Sequence, residues 1–199
     1  NCNAIIWVGN GRFSTYLVVG CANTVIPDDV EVISSYAFSG SGITEIEIPD
    51  NVKKISSDAF KDCKELTRVV IPDSITTIES GTFKGCVKLT HVEIPWSVEK
   101  IYDSVFEGCT SLTDLVNTES FMEITNCMYQ GCTGLTRIEI PAGTTKIGGN
   151  AFLDCTNLKE VILPAGIKQI GEYCFEGCTA LESIKVPAKK ADYYKKRLP

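Results

Sequence analysis

Apolar residues recur along this chain in fixed columns. One column reads Ile43, Leu66, Leu89, Leu112, Leu135, Leu158 and Leu181. Three residues later come Ile46, Val69, Val92, Leu115, Ile138, Val161 and Ile184. Two further on come Ile48, Ile71, Ile94, Asn117, Ile140, Leu163 and Val186. Proline closes the phrase at Pro27, Pro49, Pro72, Pro95, Pro141, Pro164 and Pro187, and Thr118 stands where one more belongs. The first step is 22 residues and the next two are 23. A spacing of two puts successive apolar side chains on one face of a strand, and proline then ends that strand by removing a donor. Each unit therefore predicts one short strand. Stacked units pair these strands into a parallel sheet, rising roughly 4.8 Å per unit.

The return half of each unit carries two further apolar columns. They are Val30, Val52, Ile75, Val98, Phe121, Thr144, Ile167 and Ile33, Ile55, Ile78, Ile101, Ile124, Ile147, Ile170. Aromatic residues follow at Phe38, Phe60, Phe83, Phe106, Tyr129, Phe152 and Phe175, and then a cysteine column at Cys63, Cys86, Cys109, Cys132, Cys155 and Cys178. Glycine-rich turns such as Lys84-Gly85-Cys86 leave no room for a long helix. The pattern predicts an extended stretch and then a single helical or 3₁₀ turn around the aromatic position. At the ends the period breaks. Residues 3–8 and 15–20 are apolar runs on either side of Gly9-Asn10-Gly11 and predict a β-hairpin. The stretch from Ala188 to Leu198 predicts a short helix with Tyr193, Tyr194 and Leu198 available to cover the last unit.

The unit V-x-x-I-x-x-x-A-F-x-G-C-x-x-L-x-x-V-x-I-P is clearest in Ile75 to Pro95 and Ile167 to Pro187. It resembles the BspA-like leucine-rich repeats, as do the opening Asn1-Cys2-Asn3-Ala4-Ile5-Ile6 and the segment Val19 to Pro27. The coil from Leu112 to Cys132 departs from the pattern at Asn117, Thr118, Phe121 and Met128. The expected fold is a right-handed leucine-rich-repeat solenoid of the α/β class, mostly β here, with about seven coils. Residues 1–25 are expected to form an N-terminal hairpin cap, 26–187 the solenoid and 188–199 a basic C-terminal cap. The resemblance implies a bacterial surface or secreted protein engaged in adhesion, with a host, matrix or other surface protein as partner. No basic n-region leads into an apolar stretch at Asn1-Cys2, so a signal peptide is expected to lie outside these residues.

Charge and candidate chemistry narrow the function classes. Net charge is −6, and Ala188 to Pro199 holds five Lys or Arg against one Asp, so the remaining 187 residues carry −10. An acidic body disfavours nucleic acid as a partner. The longest apolar runs, such as Ala4 to Val8, are too short to insert in a membrane. Stacked cysteines about 5 Å apart would point in parallel, a poor geometry for bonding, so a ladder of free thiols is expected. Cys2 and Cys21 lie roughly opposite each other in the predicted hairpin, which leaves both a bond and two free thiols open. No metal or cofactor is expected, because no C-x-x-C pair or histidine partner accompanies the column. His91 is the sole histidine, and no Gly-x-Ser-x-Gly, P-loop or His-Glu-x-x-His occurs, so no enzyme activity is expected.

The outward strand positions are the candidate interaction surface. One column mixes signs: Glu45, Arg68, His91, Asp114, Arg137, Glu160, Ser183. The other alternates acidic and aliphatic residues: Glu47, Val70, Glu93, Val116, Glu139, Ile162, Lys185. Cross-strand charge pairing accounts for both columns without a ligand. A ligand-facing strip of apolar spots rimmed by carboxylates is the alternative reading of the second column. Trp96 stands after Pro95 where other units have Asp50, Asp73, Ala142, Ala165 and Ala188. It reads either as a contact for a partner or as a cover for the irregular neighbouring coil. The partner-contact positions expected are Arg68, Val70, His91, Glu93, Trp96, Val116, Arg137 and Glu139. A passive spacer and a glycan-binding module are the alternative functions.

Overall fold

A computed structural model describes residues 5–8, 15–114 and 123–195. The chain winds as a β-solenoid of short parallel strands. Strands β1 (Ile5–Val8) and β2 (Thr15–Val19) pair antiparallel, and β2 runs parallel to β3 (Val32–Ile33). From there the coils alternate between two ladders.

The first ladder forms the face. Among the described residues it comprises two three-stranded sheets, β4 (Glu45–Glu47), β6 (Arg68–Val70), β8 (His91–Glu93) and β11 (Arg137–Glu139), β13 (Glu160–Ile162), β15 (Ser183–Lys185). The second forms the return wall in three paired groups, β3 with β5 (Lys54–Ile55), β7 (Thr77–Ile78) with β9 (Lys100–Ile101), and β10 (Glu123–Ile124) with β12 (Lys146–Ile147) and β14 (Gln169–Ile170). Register on the face repeats the sequence columns: Arg68 pairs with His91, Val69 with Val92, Val70 with Glu93, and Arg137 with Glu160. Each middle residue is turned inward, so Val69, Val92, Ile138 and Val161 are buried while their neighbours reach solvent. Asn117, Thr118, Phe121 and Met122 of the irregular coil lie outside the described residues, as does the turn Asn10-Gly11.

The connection around the aromatic column differs from the helical turn that the spacing suggests. It is a run of tight turns with left-handed residues on both sides of the ring. The position two before the ring has positive φ at Tyr36, Asp58, Gly81, Ser104, Cys127, Asn150 and Tyr173. The position two after it does so at Gly40, Asp62, Gly85, Gly108, Gly131, Asp154 and Gly177. A helix cannot pass through either position, because L-residues visit the left-handed region singly and not as helices. In return, alternate N–H groups are released to the next coil. Asp58, Phe60 and Asp62 donate to the carbonyls of Ser80, Thr82 and Lys84 at 3.0, 3.0 and 2.7 Å. Ala59, Lys61 and Cys63 donate within their own coil to Ser56, Asp58 and Phe60. Every backbone N–H from Asp58 to Cys63 is thereby used, as buried backbone requires. Glycine matters most at Gly85, where φ is +75° and an added Cβ would lie 2.3 Å from Asp62 Oδ1.

Two stacked columns fill the core along these turns. Seven rings from Phe38 to Phe175 lie in one continuous pile, with neighbouring centroids 5.0–5.9 Å apart and planes within 17° of parallel. Beside it runs the cysteine column. Each thiol donates to the carbonyl of the aromatic residue one coil earlier, for example Cys86 to Phe60 at 3.1 Å and Cys109 to Phe83 at 3.2 Å. These six cysteines are free thiols, as are Cys127 and Cys174. Burial pushes the Cys109 thiol well above its ordinary range and that of Cys132 up to about 12. Cys21 is disulfide-bonded, and Cys2 lies outside the described residues.

One core position breaks the pattern. Thr144 occupies an otherwise apolar column, is fully buried, and its hydroxyl has no hydrogen-bond partner. At the far end a 3₁₀ turn (Ala188–Lys190) leads into α1 (Ala191–Lys195). Tyr194 is buried there and donates its hydroxyl to the Pro164 carbonyl at 2.6 Å. No helix of the described residues is long and apolar enough to cross a membrane.

Candidate functional site

The face strands present their outward residues on a backbone hydrogen-bonded into two three-stranded sheets, with β6 and β13 paired on both sides. Such a surface needs little ordering when a partner docks. Its polar residues are not independent of one another. Arg68 on β6 reaches diagonally across to Glu93 on β8, past its in-register neighbour His91 and away from Glu45 on β4. The same carboxylate accepts from His91 Nε2 at 3.1 Å. The His91 ring and the Arg68 guanidinium together hold the Glu93 carboxyl below its ordinary value. On β11, Arg137 donates through Nε to Glu160 at 3.1 Å and lies 3.7 Å from Glu139. Glu160 also pairs with Lys185, and these two cations lower its pKa, Lys185 first.

The predicted contact residues therefore fall in two groups. Arg68, His91 and Glu93 form one connected cluster, with Val70 beside it on β6. Arg137 and Glu139 belong to a second cluster centred on Glu160. Val116 lies outside the described residues. Trp96 follows β8 and keeps 72% of its surface exposed, and Val70 keeps 41%. A tryptophan that open is not acting as a core residue.

Sequence reasoning missed a groove. About 500 Å³ of open space lies over β4 and β6, lined by Glu45, Ile46, Glu47, Ile48, Asp50, Arg68, Val70 and Pro72. The carboxylates of Glu45, Glu47 and Asp50 make no ion pair or side-chain hydrogen bond among the described residues. Glu45 stands in one outward column and Glu47 in the other, yet the columns rank no coil above another. Only the side-chain pairing separates these acids from Glu93 and Glu160. Among the described residues no group of three or more His, Cys, Asp or Glu is arranged to hold a metal ion.

Comparison with known proteins agrees with this architecture. A family profile described as "BspA type Leucine rich repeat region" matches residues 13–136 and 122–197, with six copies. Among solved structures, a leucine rich cell surface protein from Faecalibacterium prausnitzii is 27% identical with a TM-score of 0.65, covering 84% of this chain and 54% of that one. A leucine-rich repeat protein from Eubacterium ventriosum is 24% identical with a TM-score of 0.70, over 89% of this chain and 49% of that one. The leucine-rich repeat protein of T. pallidum is 24% identical with a TM-score of 0.62, over 97% of this chain and 92% of that one. The chain thus spans about half the length of the Faecalibacterium and Eubacterium proteins. No curated protein matches it by sequence.

Proposed function

The chain belongs to the BspA-type leucine-rich-repeat family, and from that premise we propose that it is a non-enzymatic extracellular recognition and adhesion module holding a protein partner on its sheet face. The observation that carries this reading is the pairing of exposed Trp96 and Val70 with the Arg68–Glu93–His91 cluster on a surface whose backbone is already fixed. Tryptophan and arginine are enriched at interfaces and carry much of the binding energy there. The contact set is Arg68, Val70, His91, Glu93, Trp96, Val116, Arg137 and Glu139. The partner is a host, matrix or other surface protein. A net charge of −6 directs the choice toward a basic or mixed-charge protein surface and away from nucleic acid.

A pull-down tests this reading. The protein and a Val70→Lys/Trp96→Ala variant are presented to matrix, plasma and epithelial surface proteins, with unfolding curves confirming that both are folded. A partner held by the parent and lost by the variant supports recognition on the face. Equal capture by both proteins places the contact elsewhere. Capture by neither moves the function to a passive spacer, and glycan arrays then test the remaining sugar-binding reading.

A further inference from the structure

We propose that the groove over β4 and β6 takes an extended, lysine- or arginine-bearing segment of the partner, with Glu45, Glu47 and Asp50 as its cation-binding rim and Val70 and Pro72 as its apolar floor. This inference rests on the sheet-face reading above and names the chemistry that docks there.

Three observations converge on it. The first is shape: this is an open trough of about 500 Å³ on an otherwise regular face, lined by main chain and side chains of two adjacent strands. The second is unbalanced charge. Elsewhere on the face the carboxylates of Glu93 and Glu160 are each shared between two basic groups. In the groove the only basic side chain is Arg68, and its guanidinium is committed to Glu93. Glu45 and Glu47 are therefore left without a paired counter-charge in this concave site, while Lys53 Nζ lies 3.5 Å from the Asp50 carbonyl. The third is position. β4 is paired on one side only, by β6, and residues 21–26 form no strand against its other edge. Val25, one coil before Glu47 in the same outward column, is 85% exposed. The trough is thus open toward that end of the solenoid, so an extended chain can run out of it. Acidic and apolar positions alternate along the column from Val25 through Glu47 to Val70. In an extended ligand alternate side chains share a face, so the basic residues of the complementary segment stand at every second position, all turned toward the Glu45, Glu47 and Asp50 rim.

The test uses labelled octapeptides of alternating Lys-Val and alternating Glu-Val, titrated with the full chain and followed by fluorescence anisotropy at low and high salt. Two variants of equal charge change are compared: Glu45→Gln/Glu47→Gln in the groove and Glu172→Gln/Glu176→Gln on the return side. Lys-Val is expected to bind the parent and to weaken with salt, while Glu-Val does not bind. The groove variant is expected to lose affinity by about tenfold, the scale of two partly exposed ion pairs, and the return-side variant to bind like the parent. Equal losses in both variants would reduce the effect to net charge and overturn the proposal, as would unchanged binding by the groove variant. A captured partner that is lost by Val70→Lys/Trp96→Ala but kept by Glu45→Gln/Glu47→Gln would leave the face reading standing and remove the groove from it. A partner kept by both variants would remove both.

Discussion

Replacing Phe83 by leucine takes one ring out of the middle of the pile, where it stacks on Phe60 at 5.6 Å and on Phe106 at 5.9 Å. Phe175 makes one such contact among the described residues, with Phe152 at 5.5 Å. Leucine remains apolar and fills most of the site, so the transfer term changes little. A residual void of about 25 Å³ at about 24 cal/mol per Å³ costs about 0.6 kcal/mol at either position. Each lost ring contact costs about 1 kcal/mol beyond area. The expected losses are then about 2.5 kcal/mol for Phe83→Leu and about 1.5 kcal/mol for Phe175→Leu. Urea unfolding followed by far-UV circular dichroism measures both as shifts in midpoint at constant slope. A repeat array frays from its ends, so the slopes must agree between variants before midpoints are compared. Equal losses at the two sites would show that the rings act only as filler and that face-to-face stacking adds nothing.

Other outcomes follow from single sites. Thr144→Val keeps the shape and removes a buried hydroxyl that has no partner, so it is expected to stabilise the protein by about 1 kcal/mol, read as a higher urea midpoint; a loss would mean that the hydroxyl is bonded after all. Burial raises the pKa of the column thiols Cys109 and Cys132, which should resist iodoacetamide at pH 8 in the native protein and become reactive only on unfolding, whereas the half-buried Cys127 reacts first; mass spectrometry after a short pulse reads the difference. The Glu93 carboxyl titrates below its unfolded value, so its contribution is present above the unfolded pKa and is lost as pH falls through the folded one. Glu93→Gln is therefore expected to flatten stability across the acidic range, and an unchanged acid profile would show that His91 and Arg68 do not stabilise the ionised form.

The repeat columns by themselves determined which residues are inside. In a solenoid the same side chain must meet its copies one coil away, so any position that packs does so in every turn and prints a period on the chain. Ile46, Val69, Val92 and their successors were legible as a strand interior, the cysteines as a ladder of free thiols, and the outward columns as the face. Tertiary structure decided two things. One is the turn beside each ring. Its left-handed residues before the aromatic are Tyr36, Asp58, Gly81, Ser104, Cys127, Asn150 and Tyr173. Glycine, the usual sign of that conformation, occurs only once there. The conformation is imposed by the hydrogen bonds to the next coil, which no local propensity encodes. The other is which carboxylates remain free. Arg68 stands in register between Glu45 and His91, and the sequence offers it either Glu45 or Glu47 as readily as Glu93. Its choice of Glu93 depends on how far a guanidinium reaches across a twisted sheet, and that one contact leaves the groove acidic.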